Sequence, residues 1–589
     1  MREVTTKKNK RRVAWIFVTI SLLLLAVSIK LGYLMIIQQD DLTARATSQQ
    51  TRDSAIEAKR GTIYDRNGKE LATTSKCYTI YARPGQINNA MKASEVKVMI
   101  MDIASATNLD YETIEEKLSQ ESTLVTLAKY LTKEQAQEVK KLKYKGIEIS
   151  ESTKRYYPLG NFASQLLGSV NDDNHGRTGL ELEYDNYLSG TAGRWVIETD
   201  INGNELAEGP SRYYEAKDGY NVVLTIDEAI QYYVEKALNK GMEDTKAKKI
   251  ECLVMDPKTG EILASAITPG YDPNYPMTPQ NLSEKEQAEF DEMDNTKKTE
   301  YLSQMWRNPL VSDTYEPGST FKLITSSSAL EEKTINLTET FRCGGYYRVA
   351  GWALHCWGHM DHGVQTIKEA VGNSCNPVLA QVAERMGSKT FRKYIDLYGI
   401  SEKTGIDYPG ESNSILNSQF GPVEICTMGY GHGISITPIQ LITAVSAIGN
   451  DGVLLKPHFL KALTDQDGKV VQSIEPEIVR QVISHDTAEE MKDIMEYVVS
   501  EAGGKNARVK GYRIGGKTGT AYKAANGGYV DDFYSSFIGM APIDDPKVTV
   551  LVIVDSPKGS YYGSAVAAPI AKDIFESILR YMNIPSVED

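Results

Sequence analysis

The sequence of 589 residues contains no internal repeat and no long low-complexity tract, so repeat arrays and extended biased segments are excluded. It also lacks a surplus of positive charge. Lys and Arg number 65 against 78 Asp and Glu, and the net charge of −13 argues against nucleic acid as a partner. Cysteine and histidine are scarce, at six and seven, so any place where they gather is informative. Tyrosine outnumbers phenylalanine 34 to 11. Otherwise the chain is ordinary. Its 41% hydrophobic and 24% charged residues suit a globular protein, and its length implies two or three soluble parts.

One long apolar run stands at the N-terminus, over residues 13–37, interrupted by Lys30. It is long enough to cross a bilayer. The preceding Arg2, Lys7, Lys8, Lys10, Arg11 and Arg12 place the N-terminus in the cytoplasm. Lys30 can snorkel or face a partner helix. Ala26-Val27-Ser28 has the form of a cleavage site, but apolar character continues to Ile37, which favours an uncleaved anchor. Residues 1–12 then form a cytoplasmic tail and 13–37 a single transmembrane helix, with the remainder extracytoplasmic.

Residues 38–59 are polar and helix-compatible, a stalk. Asp65-Arg66-Asn67-Gly68 between apolar runs predicts a hairpin. Residues 92–145 carry helical patterns rich in Glu, Lys and Gln, a small inserted head, and 190–219 suits a β-rich connection. Together 38–217 read as a β-rich pedestal. A second domain, 218–589, opens with a strand at 220–226 and a helix capped by Asp227. A strand, turn and strand at 252–266 precede long helical patterns running to about residue 448. Strands at 511–520, 534–541 and 548–554 and a helix at 567–581 close the chain. That order predicts an α+β fold with a central antiparallel sheet flanked by helices.

The chemistry gathers around Tyr315-Glu316-Pro317-Gly318-Ser319-Thr320-Phe321-Lys322. Pro-Gly followed by apolar periodicity predicts a helix opening near Ser319, where serine is also a favoured cap. Residues three apart on a helix share a face, so the Ser319 hydroxyl and the Lys322 amine can meet. Lysine can activate serine if desolvation or a second cation lowers its pKa. Ser94 and Lys97 repeat the spacing without the Pro-Gly entry. Further on lie Ser374-Cys375-Asn376 and Lys517-Thr518-Gly519-Thr520. Lys-Thr-Gly recurs at Lys258 and Lys403, and Ser-x-Asn at Ser169, but only Lys517 ends an apolar alternation that reads as a strand.

This ordered set resembles that of penicillin-binding proteins and class A β-lactamases. Arg307-Asn308-Pro309-Leu310, Gly429-Tyr430-Gly431-His432-Gly433, Phe537-Ile538-Gly539-Met540-Ala541-Pro542 and the stretch from Arg60 to Ala72 look like class B penicillin-binding proteins, nearest the division and stage V sporulation protein D branch. The resemblance implies a peptidoglycan D,D-transpeptidase in cell division or spore-wall synthesis, trapped by β-lactams. Ser319 would attack the bond between two D-alanines, Lys322 would take its proton, and Ser374 and Asn376 would relay protons and hold the substrate amide. Lys517 would add positive charge near Ser374. Thr518, Gly519 and Thr520 would bind the substrate end, with Thr518 and Thr520 on its carboxylate. No cofactor is needed for that chemistry. Implied partners are peptidoglycan stem peptides, lipid-linked or on nascent strands, and a multi-pass glycan polymerase in the membrane.

Cys343, His355, Cys356, His359, His362 and Cys375 crowd into one stretch, with Cys375 inside the Ser-x-Asn element. Cys with His suits tetrahedral zinc, and Cys343, Cys356, His362 and Cys375 are the candidate ligands. A Cys356–Cys375 disulfide, implied by the sporulation branch, and plain buried thiols are the alternatives. His432 reads as structural in its Gly-rich turn, and Cys77, Cys252 and Cys426 as core residues. Two other functions share these elements: a serine β-lactamase or β-lactam sensor, and a catalytically idle scaffold of the division machinery. No glutamate can be assigned as the base for a deacylating water, which speaks against the lactamase.

Overall fold

A computed structural model describes residues 7–39, 42, 51–198, 212–280, 282–417, 419–525 and 527–587. Parts of the expected tail and stalk (1–6, 40–41 and 43–50) and the middle of the connection (199–211) lie outside the described residues. The chain divides into two compact units, Met1–Ala58 with Thr191–Asp218, and Lys59–Gly190 with Gly219–Asp589.

In the first unit an α-helix, Lys7–Gly32, runs into a π-helical turn, Tyr33–Ile37. Within its stretch Asn9–Ile37 the mean hydropathy reaches 2.3 over 18 residues, and the stretch is long and apolar enough to cross a membrane. Thr51–Ile56, Gly193–Glu198 and Arg212–Tyr214 form a three-stranded antiparallel sheet. Residues 51–56 were expected to continue a helical stalk and are a strand instead. Their ladder partner lies more than a hundred residues away, so the backbone bonds that settle their conformation leave no local pattern.

Two large sheets organise the second unit, beside four two-stranded ones among the described residues. In the first, strands run in the order Val470–Ser473, Leu460–Thr464, Asn221–Leu224, Ile63–Tyr64, Glu70–Ala82, Val125–Leu131, with Ile147–Tyr156 also on Glu70–Ala82. The hairpin at Asp65–Gly68 forms as expected. Asp65 Oδ1 accepts from the backbone of Asn67 and of Lys69, both at 2.8 Å, and Ile63 faces Ala72. Helices Ala93–Thr107, Tyr111–Leu118 and Lys133–Leu142 make the head around their own apolar core. The strand Val125–Leu131 inside it interrupts the helical reading; Val125, Leu127 and Leu131 point into that core. Beneath the head, Glu181 is fully buried between two arginines. It accepts from Arg60 Nε at 2.8 Å and Nη2 at 2.6 Å, and from Arg155 Nε at 2.6 Å. Burial alone would raise its pKa, but Arg155 and Arg60 hold the carboxyl below its ordinary value.

The second sheet is the expected central one, antiparallel throughout: Ile262–Thr268, Lys249–Met255, Val548–Asp555, Gly528–Ala541, Gly515–Ala525. Both its faces are covered, so Val548–Asp555 is buried along its whole length. Val548, Val550, Val552 and Val554 pack with helices Glu228–Thr245 and Gly563–Tyr581. Leu551 and Ile553 point the other way, into the core around Lys322–Glu331 and Pro438–Gly449. Asp227 caps its helix as expected, Oδ1 accepting from Ala229 N at 3.0 Å. The helix Pro438–Gly449 is buried on every side. It is the post against which the nucleophile's helix is set.

Candidate active site

Ser319 lies in a 3₁₀ turn, Gly318–Phe321, that feeds the α-helix Lys322–Glu331. It does not cap that helix. Its hydroxyl meets two side chains instead: Lys322 Nζ is 2.8 Å away, and Ser374 Oγ is 2.7 Å away. Thr320 Oγ1 closes the turn onto Pro317 O at 2.8 Å. The turn is pressed from below by Gly431, where φ is +91° and a Cβ would lie 1.8 Å from Gly318 O. Only glycine fits there.

Lys322 is fully buried, with four oxygens around its amine. Besides Ser319 Oγ these are Ser374 O at 2.7 Å, Asn376 Oδ1 at 2.7 Å and Ser374 Oγ at 3.2 Å. The two short contacts to carbonyl oxygens use both hydrogens of a neutral amine, which leaves its lone pair for the Ser319 proton. Burial pushes Lys322 down to about 8, offset in part by the thiols of Cys375 and Cys356. Ser374 has φ of +55°, the left-handed region, which costs roughly 1 kcal/mol and turns both its carbonyl and its hydroxyl toward Lys322.

Lys517 arrives from the edge strand Gly515–Ala525, opposite Ile538. It is buried, and its amine is 3.1 Å from Ser374 Oγ and 2.9 Å from Thr518 O. Its pKa is pushed well below the ordinary lysine value, first by burial and then by Lys322. Two amines sharing one hydroxyl cannot both hold a proton without strong repulsion. The pair therefore carries about one charge. Gly519 lets the strand pass close to the turn: a Cβ there would lie 2.4 Å from Ser536 Oγ and 3.0 Å from Pro317 O. Thr518 and Thr520 face the cavity, and Thr520 Oγ1 accepts from Gly563 N at 3.0 Å.

Ser319, Ser374, Asn376, Thr518 and Thr520 line a cavity of about 550 Å³. One wall went unread in the sequence: Tyr522, Phe533, Tyr561 and Tyr562, with the Trp357 ring against Tyr562. Phe533 and Tyr561 stack with ring centroids 4.1 Å apart. The surplus of tyrosine was the only signal of this wall. His432, read as structural, also borders the cavity, its ring against Tyr430 and Tyr529. Burial and then Lys322 push it down to about 4, so it is neutral near neutral pH. The duplicate motifs sit elsewhere. Ser94 and Lys97 are exposed on a head helix, Lys258 lies in a hairpin turn and pairs with Asp451 at 3.3 Å, and Lys403 is exposed.

The structure also gathers Cys343, Cys356, His362 and Cys375, with one ligand atom from each within 4.8 Å of all the others. His362 Nδ1 is 3.7 Å from Cys343 Sγ and 3.5 Å from Cys356 Sγ. Ligands around tetrahedral zinc, at about 2.0–2.3 Å from the metal, lie roughly 3.5 Å from one another, so these four fit zinc in type and spacing. Cys356 and Cys375 are not joined by a disulfide, and Cys77, Cys252 and Cys426 are buried apart from this group. A hydrogen bond from Cys375 brings Cys356 down to about 5, against the opposing effect of burial, and Cys375 is pushed up in turn.

Two family models match the chain: the penicillin binding protein transpeptidase domain over residues 250–576, and the penicillin-binding protein dimerisation domain over 55–224. The chain is 36% identical to stage V sporulation protein D of Bacillus subtilis strain 168 over 584 residues, 98% of this chain and 86% of that protein. It is 28% identical to the peptidoglycan D,D-transpeptidase FtsI of Escherichia coli K12, covering 98% of this chain and 95% of the other. Among solved structures, penicillin binding protein 2X of Streptococcus thermophilus superposes with a TM-score of 0.70 at 25% identity, covering 91% of this chain and 83% of that one.

Proposed function

The chain belongs to the penicillin-binding protein transpeptidase family, and we propose that it is a serine-type peptidoglycan D,D-transpeptidase of cell division or spore-wall synthesis, acylated by β-lactams through Ser319. The observation that carries this is the buried amine of Lys322, 2.8 Å from Ser319 Oγ and 2.7 Å from each of two carbonyl oxygens, Ser374 O and Asn376 Oδ1. Lys322 takes the Ser319 proton as Oγ attacks the carbonyl between two D-alanines of a stem peptide. The backbone N–H groups of Ser319 and Thr520 hold the oxyanion. Ser374, bonded to Ser319 and to Lys517, passes a proton to the departing D-alanine amine as the C–N bond breaks. A substrate carboxylate at Thr518 and Thr520 draws the shared charge onto Lys517, which frees Lys322 as the base. An acceptor amine on a neighbouring strand then attacks the ester, forms the cross-link and releases Ser319.

Penicillin mimics the D-alanyl-D-alanine end, so intact mass of the full-length protein in detergent tests the reading. A long-lived adduct absent from Ser319→Ala is expected. An adduct that disappears quickly with hydrolysed drug points to a lactamase, and no adduct at all to an idle scaffold.

The remaining assignments are proposals on the same footing. Residues 1–12 are a cytoplasmic tail, 13–37 the anchor, 38–217 the pedestal and 218–589 the extracytoplasmic catalytic domain. The basic flank of the apolar helix supports that orientation, and reporter fusions at either end check it. The anchor meets a multi-pass glycan polymerase, because cross-linking is useful only where strands are made. Replacing residues 13–37 by an unrelated helix should lower complementation and spare penicillin binding; equal complementation removes the idea. Cys343, Cys356, His362 and Cys375 hold one zinc ion, supported by their donor types and spacing. Metal analysis should find about one zinc per chain, lost in Cys343→Ser; a metal-free protein labelled normally by penicillin returns the group to plain thiols.

A further inference from the structure

We propose that the outer face of the hairpin formed by Tyr346–Val349 and Trp352–His355 is a saccharide subsite, which takes the sugar rings of the glycan strand that carries the stem peptide. It rests on the transpeptidase reading and extends the substrate from peptide to sugar. The two strands pair Tyr346 with His355 and Arg348 with Ala353. Alternation turns Tyr347, Val349 and Leu354 inward and leaves Tyr346, Arg348, Ala353 and His355 exposed on one face.

That face is a row of rings that starts inside the cavity. His355 and His359 line the cavity with Ser319 and Asn376. Their ring centroids are 4.7 Å apart, and Tyr346 follows His355 at 6.0 Å. Arg348 lies 5.7 Å over Tyr346, and no carboxylate among the described residues pairs with it. The platform is anchored. Asn376 Nδ2 donates to His355 O at 3.3 Å, and Cys356 N to Gly345 O at 2.9 Å.

A peptide seated at Ser319 extends roughly 3.4 Å per residue, so within a few residues its sugar end has left the cavity. The ring row leads out of that cavity, from His359 and His355 to Tyr346. Its chemistry suits a sugar. Flat ring faces meet the C–H face of a pyranose, while imidazole nitrogens, a phenol and free guanidinium donors meet hydroxyl and acetamido oxygens. Ala353 is the one aliphatic side chain on the face.

The test compares two acyl donors on the full-length protein in detergent. Both are the same D-alanyl-D-alanine pentapeptide; one carries its N-acetylglucosaminyl-N-acetylmuramyl disaccharide and the other does not. Each competes with a fluorescent penicillin for Ser319. The wild type should take the disaccharide donor about five- to tenfold more readily, the range of one aromatic stack. Tyr346→Ala and, independently, Arg348→Gln should bring that ratio close to one. Penicillin labelling of each variant shows that its site is folded. Equal competition by both donors in the wild type, or a ratio retained in both variants, overturns the subsite. Labelling by penicillin with no competition from either donor overturns the transpeptidase reading itself.

Discussion

Replacing Lys517 by Gln should move the pH at which Lys322 becomes a base, and the size of the move follows from the geometry. Both amines contact Ser374 Oγ, at 3.2 and 3.1 Å, so their nitrogens are no more than about 6 Å apart. At an effective dielectric of about 20, two unit charges at that distance repel by roughly 3 kcal/mol, or about two pH units. Wild-type Lys322 titrates near 8. Below that pH it is protonated and cannot accept the Ser319 proton, so the second-order rate of acylation rises with pH and levels off above 8. Without the Lys517 charge, protonating Lys322 is easier, its pKa rises, and the bend shifts upward by one to two units. The assay is penicillin acylation of the full-length protein from pH 6 to 10, followed by stopped-flow or intact mass. Lys517 also meets the drug's carboxylate, so the plateau falls as well; the bend and the plateau are read separately. A bend that stays in place, or moves down, refutes the shared charge and with it the assignment of Lys322 as base.

Gly431→Ala lies outside the motifs, yet its Cβ would meet Gly318 O and displace the serine turn. Penicillin labelling should fall by about a hundredfold in a protein that still folds, as judged by circular dichroism. Glu181→Gln leaves Arg155 buried without a counter-charge, while Arg60 keeps Asp185, and should cost about 3 kcal/mol, read as a lower unfolding temperature. Because Glu181 is held below the ordinary carboxylate range, its contribution is complete at neutral pH. It should be lost only as pH falls through that depressed value, and the variant should lack this acid dependence.

The residues that carry the chemistry were legible because each sits on a short local element. Pro317-Gly318 forces the turn that presents Ser319, three residues of helix bring Lys322 back to it, and alternation along Gly515–Ala525 aims Lys517. The hairpin at Asp65 was legible for the same reason. What stayed hidden is non-local. Ile63 pairs in parallel with Val222, and Leu460 antiparallel with Leu224, so strands from both sides of residue 218 share one sheet. Nothing in any of those three segments names its partner. Phe533 and Tyr561 stack in the cavity wall from a strand and from a loop beyond the next strand, and each alone looks like an ordinary aromatic.

Cys375 shows why the thiol group and the serine chemistry belong to one piece of structure. Its two neighbours in sequence, Ser374 and Asn376, supply the carbonyl oxygens that hold Lys322, each at 2.7 Å. Cys375 itself is turned to the opposite side, into the group with Cys343, Cys356 and His362. A backbone that must send one side chain one way and its neighbours the other has little freedom left, and Ser374 already spends some of it in the left-handed region. Asn376 then continues outward, its amide holding His355 O and so the hairpin beyond. A bond made at Cys375, whether to metal or to sulfur, therefore fixes the three-residue span that orients the Lys322 amine. Change there should register first in the rate of acylation, before the fold as a whole gives way.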